Sequence, residues 1–143
     1  MAMCRVGRLL VAVHYREPPT EEEWHRWFDL IDGLPFGTGR ALIDTYGSCG
    51  PNAGQRKELA VHVNRVGMRS ALFTDSIVLR GMVTAMAWFG VSLRAFEPGA
   101  HRPAAAYLDL SRQELASALE ALPRLRLECG MPPPGSTARP EQR

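Results

Sequence analysis

A chain of 143 residues with 45% hydrophobic and 22% charged content has the composition of one globular domain, which excludes a wholly disordered or fibrous protein. The formal net charge of +2 comes from sixteen scattered arginines and Lys57 set against fifteen acids, so no basic patch marks nucleic acid as a partner. No window reaches the roughly 18 uncharged apolar residues of a membrane span. Three cysteines far apart (Cys4, Cys49, Cys129) point to free thiols in a reducing cytoplasm and to no structural metal site.

After a short N-terminal arm, residues 8–15 (RLLVAVHY) form an apolar run closed by Pro18 and Pro19, which predicts a first strand. Thr20 followed by Glu23 is a capping box, and three glutamates there suit the positive end of a helix dipole. Trp24, Trp27, Phe28, Ile31 and Leu34 then fall on one helical face, and Gly33 with residues 35–39 stops the helix. Residues 40–46 (RALIDTY) predict the second strand. A helix starting near Pro51 or Asn52 turns Leu59, Ala60, Val63 and Val66 inward and ends at Gly67.

Residues 69–74 (RSALFT) predict the third strand, and Asp75 with Ser76 caps a helix over 77–89 closed by Gly90. A fourth strand spans 91–96, and a short Ala-rich helical piece spans 103–108. A second capping box, Ser111 with Glu114, opens a final helix with Leu115, Ala118, Leu119 and Leu122 inward, ended by Pro123. Residues 130–143 hold four prolines and nothing to bury, which predicts a disordered tail after a single domain over 1–129. Strands alternating with helices at this spacing predict an α/β fold, a mostly parallel sheet of four to five strands covered by four to five helices.

The segment SALFTDSIVLRGMVTAMAWFGVSLRAF with the following AAAYL, within the order of elements over 40–108, resembles the STAS domain, the sulfate transporter and anti-sigma factor antagonist family, and its SpoIIAA-like relatives. The resemblance covers about two thirds of the chain. It implies a cytoplasmic adaptor whose helical face docks onto kinases, transporters or its own kind. Bacterial antagonists of that family carry a phosphorylated serine in an Asp-Ser-Ser/Thr-Gly motif at the start of the helix after the second parallel strand. The matching place here, Pro51-Asn52-Ala53-Gly54, has no hydroxyl, although Asp44 matches the strand-end aspartate. Ser48 is the nearest hydroxyl and the candidate modification site.

The loop DTYGSCGPNAGQR holds the candidate chemistry: Asp44, Ser48, Cys49, Asn52 and Arg56, with Asp75 and Ser76 at the next helix start. A thiol phosphatase needs five residues between its cysteine and arginine. Six separate Cys49 from Arg56, and Pro51 removes an amide from any phosphate cradle, so no catalytic residue is assigned. Gly47, Gly50 and Gly54 match no nucleotide-binding spacing. The four histidines stand in no triad order and read as surface or half-buried side chains. No cofactor is implied. These loop residues also suit plain capping and turn roles, and a small anionic, nucleotide or lipid ligand at their helix start is the alternative reading.

The helix IVLRGMVTAMAWF is the more informative anomaly. Ile77, Met82, Val83, Met86 and Phe89 would face the sheet, while Val78, Leu79, Ala85 and Trp88 extend the apolar surface around the cylinder. A helix apolar nearly all round needs cover on two sides. Its second side, Val78, Leu79, Met82, Ala85 and Trp88, is the candidate surface for a protein partner or a second copy of the chain.

Overall fold

The computed structural model describes residues 1–47 and 50–131. Strands β1 (Ala2–Val6), β2 (Leu9–Tyr15), β3 (Arg40–Tyr46), β4 (Arg69–Phe73) and β5 (Ser92–Phe96) form one sheet in chain order. β1 runs antiparallel to β2; the other three neighbouring pairs are parallel. Helices α1 (Glu21–Asp32), α2 (Ala53–Val66) and α3 (Ile77–Trp88) join the parallel strands, and α4 (His101–Leu108) and α5 (Arg112–Glu128) follow β5. The class is α/β, as the alternation predicts. Among the described residues no helix is long and apolar enough to cross a membrane.

A sheet that advances one strand at a time in one direction, with crossovers of one hand, collects its crossover helices on one face. The core divides accordingly. Leu10, Ala12 and Ala41 pack with Trp24, Trp27 and Ile31 of α1, Val63 of α2 and Met86 of α3. The alternating residues Leu9, Val11, Val13, Leu42 and Phe73 meet Leu108 of α4 and Ala118, Leu122 and Leu125 of α5. Because β2 is covered on both faces, its LLVAV run is buried throughout and shows no polar alternation. Ile31, Leu42 and Leu125 are fully enclosed, and cutting any one to Ala would cost about 2–5 kcal/mol.

Two features depart from the sequence expectation. The N-terminal arm is a strand. Gly7, at φ 61, opens a two-residue turn with Arg8, and Val6 pairs with Leu9 across it. Glycine with positive φ in the first central position is the demand of a type II′ hairpin, whose twist suits the strands it joins. The second departure is Pro123, which lies inside α5 and does not end it. Its ring is exposed, while Leu122 and Leu125 beside it are buried. Arg126, a turn further on, holds Asp44 through Nη2 at 2.8 Å. These contacts carry the helix past the lost amide to Glu128. Of the tail expected over 130–143, residues 132–143 lie outside the described residues.

Candidate functional site

The polar loop residues do not converge. Asp44 sits on the face of β3 that meets α5, is 3% exposed, and takes Arg126 together with the Tyr46 hydroxyl at 3.0 Å. Burial and the neighbouring Asp44 carboxylate push the Tyr46 phenol up to about 12, so it remains a donor at neutral pH. Asn52 caps α2: its side chain accepts from the Gln55 amide at 3.0 Å, and Gln55 returns the bond to the Asn52 amide at 2.9 Å. Arg56 turns back on its own loop, donating from Nη1 to the Pro51 carbonyl at 2.8 Å. Ser76 caps α3 by accepting from the Leu79 amide at 3.3 Å, and Asp75 is exposed beside it. Ser48 and Cys49 lie outside the described residues. Each polar side chain with a partner here serves a cap, a loop or the α5 anchor.

On α3 the inward stripe is Leu79, Val83 and Met86, at i, i+4 and i+7. This corrects the sequence reading at three positions. Leu79 is 2% exposed and packs with Leu72 and Val83, so it leaves the candidate interaction surface. Ile77 and Phe89, expected inward, are 85% and 67% exposed. The reason is the phase of the stripe: a helix lying over the β4–β5 end of the sheet buries a narrow band, and Ile77 lies far around the cylinder from it. Phe89 is the C-cap, already past the last helical residue. Val78 and Trp88 point outward at 76% and 84% exposure, with half-buried Met82 and Ala85 on the flank. Gly81 belongs to the same outer face, since a Cβ built there meets no atom within 4 Å.

A cavity of about 50 Å³ lies between the sheet and α1, α2 and α3. Its floor comes from the C-terminal parts of β2 and β3, through His14, Ile43 and Thr45. Trp24 and Trp27 of α1, Leu59 of α2, and Leu79 and Met82 of α3 line it from the helix side. Gly50 forms part of the wall, and two features favour glycine there. Its φ is 73, and a Cβ would come within 2.7 Å of the Leu79 Cδ2 and 3.2 Å of the Met82 Sδ.

The side chains of Trp24 and His14 both line this apolar space. The Trp24 Nε1 is the buried side-chain polar atom that lacks a partner among the described residues. His14, 8% exposed, has its ring centroid 6.2 Å from that of Trp24. Burial pushes the His14 imidazole down to about 4, the Met1 ammonium adds to the fall, and Glu23 opposes it, so the ring is neutral at pH 7. The Thr45 hydroxyl, also at the cavity, donates to the Phe73 carbonyl at 2.7 Å. Sequence patterning places His14 and Trp24 on their elements but misses this site, because each alone reads as ordinary half-buried packing. The signal is a histidine closing an otherwise apolar strand. No group of three His, Cys, Asp or Glu able to hold a metal occurs among the described residues.

Compared with protein-family models, with curated proteins and with solved structures, the chain matches none.

Proposed function

We propose that this chain is a non-enzymatic, cytoplasmic interaction module of STAS-like type that docks through the outer face of α3, with a second copy of itself as the occupant. The observation that carries the reading is the exposure of Val78 and Trp88, 76% and 84%, on a helix whose outer face holds no charge. The nearest cation, Arg80, is engaged by Glu97 at 2.6 Å and by the Thr74 carbonyl at 2.9 Å. An uncharged face meets its own image under a two-fold axis without like-charge repulsion. Gly81 adds support: glycine within a helix costs about 1 kcal/mol relative to Ala, and nothing inside the fold requires it. Its use is the close approach of another helix. The free thiols of Cys4 and Cys129 suit a reducing compartment.

The test replaces Gly81 with Gln, a better helix former with a bulky polar side chain. Sedimentation velocity over a concentration series should show weaker self-association in Gly81→Gln, although the monomer itself becomes more stable. Equal association in both proteins would remove the reading. Among the described residues of 44–56, Asp44, Asn52 and Arg56 are each turned to a different partner, which favours the docking reading over an anion or nucleotide ligand there.

A further inference from the structure

Arginines that lie far apart in the sequence meet at one end of the sheet. Arg40 opens β3 and Arg69 opens β4, and the register sets them directly opposite each other. Arg94 of β5 stands beside Ala71, two residues further along. Each arginine precedes by two a residue of the core under α4 and α5 (Leu42, Ala71 and Phe96), so all three project to that face. Like charges directly opposite across strands are destabilising. Yet among the described residues none of the three is in an ion pair with a carboxylate. Arg40 is 5% exposed. Burial first, then the charges of Arg69 and Arg8, lower its guanidinium below the ordinary value, while Asp109 and Glu114 oppose the fall. We propose that this end of the sheet binds a dianionic phosphate monoester, with Arg69, Arg94 and the Tyr107 hydroxyl touching it and Arg40 supplying charge from beneath.

Capping of α4 explains only part of this arrangement. Arg40 donates from Nε to the Leu108 carbonyl at 2.7 Å, Arg69 from Nη1 to the Tyr107 carbonyl at 3.4 Å, and Arg8 from Nη2 to the Asp109 carbonyl at 2.7 Å. A helix C-terminus carries roughly half a negative charge, so three cations exceed what it needs. Glu114 answers Arg8 at 2.7 Å. Arg94 lies instead over two rings, its Cζ 5.6 Å from the Phe96 centroid and 5.9 Å from that of Tyr107. The charges that act on the Tyr107 phenol are Arg69, Arg94 and Arg40, which oppose the rise caused by its burial. Its half-buried hydroxyl makes no hydrogen bond among the described residues. Guanidiniums donate in pairs to the oxygens of an oxyanion. A phosphate monoester brings three terminal oxygens and close to two charges at pH 7, whereas a carboxylate or a phosphodiester brings one. The site lies on the opposite face of the sheet from α3 and stands or falls independently of self-association.

The experiment follows the arginine Nε–H signals of the full-length protein by ¹H–¹⁵N correlation at low salt while glycerol 3-phosphate, dimethyl phosphate or acetate is added. Glycerol 3-phosphate should shift the Arg69 and Arg94 signals saturably, and bind at least tenfold more tightly than either singly charged probe. Arg69 and Arg94 are both exposed, so the double variant Arg69→Gln with Arg94→Gln should fold and should lose at least tenfold in affinity. Taking the same charge from exposed positions on α1 and α2, Arg26→Gln with Lys57→Gln, should leave the affinity unchanged. Phosphatidylcholine vesicles carrying phosphatidic acid distinguish the source of the group. Sedimentation of the wild type with them, lost in the Arg69 and Arg94 double variant, assigns the phosphate to a lipid. Glycerol 3-phosphate binding without sedimentation assigns it to a soluble molecule. No saturable shift with glycerol 3-phosphate, dimethyl phosphate binding as tightly, or an equal loss in the Arg26 and Lys57 variant overturns the proposal.

Discussion

His14 should act as an acid-sensitive weak point of the fold, and the size of its effect follows from its burial. Its folded-state value of about 4 lies below the 6.5 of an exposed histidine. The unfolded chain therefore takes up a proton before the folded one does, and stability falls as pH falls between 6.5 and 4. At about 1.36 kcal/mol per unit, the full effect is about 3 kcal/mol, and about 2 kcal/mol of it should be lost between pH 7 and pH 5. The perturbation is His14→Phe, which keeps a ring against Trp24 and has nothing to protonate. The assay is urea unfolding followed by tryptophan fluorescence at half-unit pH steps. Arg8 holds the Glu114 carboxylate down to about 2, and the Met1 ammonium and the Thr20 amide hold Glu23 below its ordinary range. Those two lose their stabilisation as pH falls below the ordinary glutamate range, beneath the window in which His14 acts. The difference between wild type and His14→Phe should thus open above pH 5. Parallel curves from pH 7 to pH 5 would refute the neutral, buried assignment.

Two further substitutions test the face of the sheet under α5. Arg126→Ala leaves the buried Asp44 carboxylate with the Tyr46 hydroxyl alone, and urea midpoints should report a loss of about 3 kcal/mol, part of it recovered in the double variant with Asp44→Asn. An unchanged midpoint would mean that the ion pair is no anchor. Pro123→Ala restores an amide within α5 and removes the ring clash with the preceding turn, so thermal unfolding should show a gain of about 1–2 kcal/mol, reduced by the freer unfolded chain. A loss of stability there would show that the helix around Leu122 and Leu125 is built to the proline.

Much of the scaffold was legible because several local signals agreed at each place. The Thr20–Glu23 and Ser111–Glu114 capping boxes stand where the residue types predict them, and the buried face of α1 is the predicted Trp24, Trp27, Phe28, Ile31 stripe. β1 was missed because Ala2, Met3 and Cys4 carry no strand periodicity of their own, and their pairing depends on a single glycine at position 7. Pro123 misled because local chemistry argues for a stop while tertiary contacts of Leu125 and Arg126 argue for continuation. The phase of α3 was illegible for a different reason. When nearly every position is apolar, the pattern contains no stripe, and only contact with Leu72 and Leu93 selects Leu79 and Val83 as the inner side. The cavity required the third dimension entirely, since His14, Trp24 and Met82 come from separate elements.

If the outer face of α3 is a contact surface between copies of this chain, the mass of the protein in solution reports it. Trp88 exposes 84% of its surface, and covering a side chain of its size contributes at most about 4–5 kcal/mol. Multi-angle light scattering on the purified protein and on Trp88→Glu at the same concentrations reads the outcome. The wild type should be a dimer and Trp88→Glu a folded monomer, with association weakened at least a hundredfold. A monomer in both would make α3 a helix with a merely apolar exterior and would contradict docking through that face.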